Sequence, residues 1–239
     1  MHPELSGDFH VHSTFSDDAV STLQENVDAA HAAGLTEIRL VDHVRASTTW
    51  VPEFVAAVAA LDVPAGLTVH TGVEAKILDA SGALDIPTGV EGIDRILIAD
   101  HQFPGADGPW SPATTIERIA NGLTVDDALD LLIGGLTGAM RRHPGNQLAH
   151  CFSILPKVGL REDQLGDERL RLWAETAAAT DTWVEVNEKW ACPGPAALAA
   201  ARAAGVRIVA STDSHDSREV GRYDRVAQLL GAAVGAART

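Results

Sequence analysis

The stretch DFHVHSTFSDDA, residues 8–19, sets His10 and His12 one residue apart and follows them with Asp17 and Asp18. Residues of the same kinds recur along the chain. Asp42 and His43 stand in LVDH, Glu74 in GVE, Asp100 and His101 in ADH, His150 in LAH, Asn187 in EVN, and Asp213 and His215 in STDSH. Six of the ten histidines fall in this set, together with carboxylates. Burying so many polar groups without partners would cost several kcal/mol each, roughly 2–7 for a neutral group. Divalent metal ions are the natural partners. Neutral imidazole and carboxylate oxygen suit Zn²⁺, Fe²⁺ or Mn²⁺, and no paired cysteines point to a structural thiolate site.

The elements that must hold these residues alternate. Strand-like apolar runs occupy 8–11, 37–41, 67–73, 95–99, 147–150, 182–186 and 206–211. Helix-like stretches lie between most of them, and a last helix near 224–237 follows the seventh run. Thr124 with Asp127 reads as a cap, and Gly34 and Gly205 as helix ends. Continuous apolar strands separated by helices indicate a mostly parallel sheet covered by helices, hence a barrel or a large doubly wound sheet. Each strand delivers its polar residues at its C-terminal end, the face on which parallel α/β barrels build active sites. Nothing splits the chain, which is expected to form one domain over 1–239. The stretch 102–122 opens with a Gly/Pro-rich loop and has the reach of a lid.

Composition narrows the function. The 239 residues suit one α/β barrel, with 46% hydrophobic and 21% charged residues. A net charge of −15 disfavours a polynucleotide partner. No apolar run is long enough to span a bilayer, and the N-terminus lacks a secretory pattern. With only Cys151 and Cys192 present, two free thiols in the cytoplasm are expected. The other histidines have plainer roles: His2 in a loose terminus, His31 on a helix face, His143 near a helix end, and His70 packed within the third strand.

Taken in order, DFHVHSTFSDD, LVDH, GVE with ADH, and LAH followed by STDSH resemble the motif blocks of the PHP family, named for polymerase and histidinol phosphatase. The flanking EVN and SHDSREVG fit as well, and the resemblance covers essentially the whole chain. It implies a distorted (β/α)7 TIM-like barrel with a site for two or three divalent metals (Zn, Mn or Fe) at the C-terminal ends of the strands. By resemblance, His10, His12, Glu74 and Asp213 surround the first metal. Glu74 bridges to a second, joined by His101 and His150. His43 and His215 hold a third with an aspartate of the first block. That aspartate is Asp17 on a fifth-position pattern and Asp18 on a sixth-position pattern; SDDAVST fits the sixth better.

Such a centre carries a charge of about +2 once three carboxylates and one hydroxide are counted against three ions. It would suit a small phosphate monoester attacked by a metal-bridging hydroxide held by His10, His12, Glu74 and Asp213. Arg45, Lys189 and Arg218 follow ligand-bearing strand ends and are candidate substrate contacts. Asp42 and Asp100 either support metal-bound imidazoles or cap loops. The resemblance thus implies a metal-dependent phosphatase acting on a small phosphorylated metabolite. Two alternatives stand beside it: a phosphodiesterase on the same metals, and a metal-binding module without turnover. Glu188 and Lys189, where many family phosphatases have Ser or Thr after the strand-end Asn, depart from the family pattern. So does QFPGADGPW after His101. Both departures leave histidinol phosphate in doubt as the substrate.

Overall fold

A computed structural model describes residues 3–236, with side chains placed through Gly231. His2 lies outside the described residues. In chain order the main elements are β1 (Gly7–Val11), α1 (Leu23–Ala32), β2 (Glu37–Val44), α2 (Val51–Ala59), β3 (Thr68–Lys76), β4 (Arg95–Ala99), β5 (Phe103–Gly105), β6 (Gly108–Trp110) and α3 (Pro112–Ala120). They continue with α4 (Val125–Arg142), β7 (Gln147–Ala149), α5 (Ile154–Lys157), α6 (Gly166–Ala179), β8 (Trp183–Asn187), α7 (Pro195–Ala203), β9 (Ile208–Ser211) and α8 (Arg225–Ala236).

Seven strands are hydrogen-bonded in the order β1-β2-β3-β4-β7-β8-β9, every pair parallel. They form a nearly closed TIM-like barrel with helices on its outside. The strands are covered on both faces, which is why they read as unbroken apolar runs. The largest apolar core lies between sheet and helices and includes Val73, Ile98, Leu132, Leu148, Trp173 and Val184. A separate small cluster joins Val41, Leu97, Ala99 and Ala149. Local signals in the sequence do what their chemistry requires. Thr124 Oγ1 accepts from the Asp127 backbone N–H at 3.1 Å and starts α4. Gly34 and Gly205 take φ of 74° and 76° just past α1 and α7, where a side chain would be strained.

The barrel closes between β1 and β9 by a thin seam. Its backbone bridge is Val11–Ser214, where the His12 N–H donates to Ser214 O at 2.8 Å. The buried Asp8 carboxylate reinforces it, accepting from Thr212 N–H at 2.9 Å, Thr212 Oγ–H at 2.6 Å and Gly221 N–H at 3.0 Å. Burial pushes the Asp8 carboxyl up to about 6 against the lowering effect of these bonds.

Two departures from the sequence reading bear on the site. Strands β2 and β3 run on to Val44 and Lys76, so His43 and Glu74 lie inside paired strands, directly opposite each other. The stretch 102–122, which the sequence leaves open as a lid or a surface excursion, holds the antiparallel β5–β6 hairpin and α3. Phe103 and Trp110 are buried and stacked, with ring centroids 6.0 Å apart. Swinging this segment as a lid would pull both rings out of the core.

Candidate metal centre

The strand ends bring eight of the nine expected ligand residues together directly, and the β1–α1 loop adds the ninth. His10 Nε2 and His12 Nε2 lie 3.0 Å apart. Asp213 Oδ1 sits 3.3 Å from His12 Nε2 and 3.9 Å from His10 Nε2. Glu74 Oε2 approaches the same nitrogens at 3.5 and 3.4 Å. On the other side, Glu74 Oε1 lies 2.9 Å from both His101 Nε2 and His150 Nε2. Asp18 Oδ2 lies 3.6 Å from His43 Nε2 and 3.3 Å from His215 Nε2. His12, His43 and His215 form one group close enough to share an ion. His10, His12 and Asp213 form a second, and His43, Glu74 and His101 a third. Asp17 and Asp18 are both exposed and both line the cleft, but only Asp18 approaches an imidazole among the described residues.

The donor set fits divalent metals. Glu74 is buried at the centre of five imidazoles; its Oε2 lies 2.9 Å from His43 Nδ1 yet makes no well-aligned hydrogen bond among the described residues. An orphaned buried carboxylate oxygen ringed by nitrogens is what ligands around a shared cation look like. Electrostatics agree. Burial lowers His12 to about 3, so its neutral, ligating form prevails. Burial also opposes charge on His10 and His150, but surrounding carboxylates outweigh it. Glu185 and Glu74 raise His10 well above its usual value, while Asp100 and Glu74 raise His150 to about 10. Glu74 and Asp213 are in turn held far below the ordinary carboxyl range by those imidazoles, against their burial.

Backbone strain helps aim the ligands. His150 and Asp213 take φ of 28° and 54°, left-handed values rare for residues with a side chain. Asp42 and Asp100 act through serines. Asp42 accepts from Ser13 N–H and both Ser13 and Ser16 hydroxyls, and Ser16 Oγ lies 3.3 Å from His12 Nδ1. Burial raises Asp42 to about 6. Asp100 Oδ1 accepts from Ser153 Oγ–H at 2.8 Å and stands 3.4 Å from His150 Nδ1.

Sequence reading does not single out two residues that the geometry does. Glu185, fully buried in β8, accepts from His10 Nδ1 at 3.1 Å, the His150 N–H at 2.7 Å and Asn187 Nδ2 at 2.9 Å. Trp190 Nε1–H donates to Asp213 Oδ2 at 2.9 Å, leaving Oδ1 to face His12. The only sequence signal for Glu185 was its place in EVN, beside the strand-end Asn; Trp190 carried none.

Of the expected substrate contacts, Lys189 stands at the centre, its Nζ 3.3 Å from His215 Nδ1 and 3.8 Å from Asp213 Oδ2. It lines a cavity of about 270 Å³ with Trp190, Asp18, His43, His101 and His150. Arg45 lines an adjoining lobe of about 320 Å³ with Lys76, Asp85 and Gln102, and forms no ion pair among the described residues. Arg218 does not join them. Its guanidinium folds back on Asp216, two residues away, and the side chain is 84% exposed. Another groove, of about 540 Å³, lies elsewhere, between α6 and α7, and is lined mainly by alanines.

Residues 8–188 match the PHP domain family. The chain belongs to that family. This PHP chain is 29% identical over 226 residues to a protein of Acetivibrio thermocellus named "Probable phosphatase", covering 93% of this chain and 85% of that one. A protein of the same description from Thermoanaerobacter sp. is 26% identical over 240 residues, covering 93% and 84%. Among solved structures, histidinol phosphate phosphatase of Lactococcus lactis, determined with zinc, L-histidinol and phosphate, superposes with a TM-score of 0.67. The two are 16% identical, and the match covers 96% of the PHP chain and 93% of its neighbour. That likeness confirms the barrel.

Proposed function

We propose that this PHP chain hydrolyses small-molecule phosphate monoesters at a centre of two or three divalent ions. Its character as a metal-dependent phosphatase follows from its family, its phosphatase relatives and its ligand set. The observation that carries the finer reading is that three ligand groups overlap on His12 and His43, with Glu74 at their centre, open to a polar cleft with Lys189 and Arg45 on its walls. His10, His12 and Asp213 would hold one ion, and Glu74, His101 and His150 a second. Asp18, His43 and His215 would hold a third where three bind.

When bound, such ions supply Lewis acidity toward phosphoryl oxygens and a water acidic enough to attack at neutral pH. The chain's own residues do the rest. Lys189 offers an ammonium at the rim to a phosphate oxygen. Trp190 holds Asp213 with one oxygen turned to the centre. Arg45 is the unpaired cation available to the leaving group or a phosphate oxygen. Burial of His10, His12 and Glu74 keeps bulk water from the ligands.

The cleft extends from the ligands on two sides, toward Trp190 and toward Arg45. This favours, as a second reading, a diester lying across the centre. Hydrolysis of a chromogenic phosphate monoester and the matching diester, after reconstitution with Zn²⁺, Mn²⁺ or Fe²⁺, separates the two. The monoester is expected to turn over faster by at least tenfold. A preference for the diester selects the second reading, and no turnover of either removes both. Release of phosphate from a panel of phosphorylated metabolites then identifies the leaving group.

A further inference from the structure

We propose that Arg39, buried toward the opposite end of the barrel from the ligands, is a positioning residue that sets the donor direction of a hydrogen-bond chain ending on His10. The proposal rests on reading His10 as a metal ligand. The chain crosses the barrel interior through four strands. Arg39 Nη1–H donates to Gln147 Oε1. Gln147 Nε2–H donates to Glu185 Oε2 at 2.9 Å and to the Phe9 carbonyl at 3.1 Å. Glu185 Oε2 lies 3.1 Å from His10 Nδ1. Arg39 is 1% exposed, and Gln147, Glu185 and His10 are fully buried.

The direction of these bonds matters more than their number. A guanidinium can only donate, whereas an amide can turn over and present either end. With Arg39 donating to Oε1, the Gln147 amide must point its N–H at Glu185. The carboxylate can only accept, so His10 Nδ1 must carry the hydrogen. In the neutral, ligating form of His10 the lone pair is then on Nε2, the atom facing His12, Glu74 and Asp213. A donor-only residue at one end and a lone-pair acceptor at the other thus polarise one chain. Without Arg39, the amide loses the donor that fixes Oε1, and only the Phe9 carbonyl and Glu185 themselves oppose a turn that would set acceptor against acceptor. No change of protonation is involved.

A residue that only filled the barrel would not look like this. The guanidinium packs against Phe9 and Trp183, 5.5 and 5.2 Å from their ring centroids, yet its Nε–H has no partner. An apolar side chain of similar volume would avoid that unsatisfied donor. The neighbouring strand also leaves room for it. A Cβ on Gly72 would stand 3.0 Å from Arg39 Cδ and 2.9 Å from Val41 Cγ2.

The test compares Arg39→Met, which keeps volume and removes the donor, with Arg39→Lys, which restores a donor-only cation. Zinc affinity is measured by chelator competition, the fold by circular dichroism, and the His10 Nδ1–H by its low-field proton resonance in the zinc-loaded protein. Arg39→Met is expected to lose roughly 10- to 100-fold in zinc affinity. Its Nδ1–H resonance should shift or broaden, and Arg39→Lys should recover most of both. Wild-type affinity and an unchanged resonance in folded Arg39→Met overturn the proposal. If Arg39→Met fails to fold, Gln147→Leu interrupts the chain with Arg39 in place. The same loss is then expected, and wild-type zinc affinity there overturns the proposal equally. His10→Ala with undiminished affinity would instead refute the metal reading itself, a different outcome from either.

Discussion

Asp18 Oδ2 lies 3.3 Å from His215 Nε2, whereas Asp17, on the same cleft, pairs with no imidazole among the described residues. Partial burial works against the Asp18 charge, but His43 and His215 more than offset it and hold its carboxyl below the usual range. Asp18→Ala is therefore expected to lower metal content by about one ion per chain and cut turnover by roughly 100-fold or more. Asp17→Ala should stay within about 0.5 kcal/mol of wild type in stability and keep its metals. Elemental analysis with a turnover assay checks both, and the reverse pattern would select the fifth-position reading. Trp190→Phe keeps the ring and deletes the N–H on Asp213. Metal affinity should fall about tenfold with the fold unchanged, measured by chelator competition. Protons on His10 and His150 must leave for a metal to bind. Zinc binding at pH 7 should therefore release protons, seen as a dependence of calorimetric enthalpy on buffer ionisation, and apparent affinity should rise as pH rises toward about 10. A buffer-independent enthalpy would contradict that charge balance. The residues that cluster at the candidate centre were legible because each follows an apolar run in a fixed order. Glu185 was less so, because one acidic residue inside TWVEV looks the same whether it faces solvent or an imidazole. Arg218 misled because spacing along the chain does not reveal that a nearer carboxylate, Asp216, captures it.

At the scale of elements, the seven strands were legible because two covered faces demand unbroken apolar sequence. Their C-terminal limits were not. Ladder pairing carries β2 and β3 through His43 and Glu74, residues whose polarity argues for a strand end. The β5–β6 hairpin was hidden by its composition, since QFPGADGPW carries the Gly and Pro of a loop. Its order comes from two rings far apart in that stretch, Phe103 and Trp110, which meet in the core and under Arg118, 4.1 Å above the indole. Trp110→Ala is expected to cost about 3–5 kcal/mol of stability. Metal content at low temperature should be unchanged, since no ligand sits on the hairpin. Denaturant unfolding beside elemental analysis decides this. A loss of metal without loss of stability would show that the hairpin serves the site directly.

At the scale of the molecule, the metals would bind across the thin join between β1 and β9. His10 and His12 come from one side of it, Asp213 and His215 from the other. Chelation should therefore lower the melting temperature, with about 2.7 kcal/mol lost if the free metal had stood at 100 times its dissociation constant. Hydrogen exchange should quicken first at β1 and β9. Uniform loosening across all strands would show that the ions do not clasp the seam. No helix among the described residues is long and apolar enough to cross a membrane. The seam also has a consequence for how the protein is made. Asp8 and Thr212, which pin it, are 204 positions apart. On the ribosome, the first histidines emerge long before their partners exist, and a chain cut short before Asp213 holds only part of the cradle. Assembly of the full cradle must then wait until His215 has been translated and strands β1 and β9 have met. A chain halted earlier would still carry the His43, Glu74 and His101 group but not the ligands that Asp213 and His215 complete.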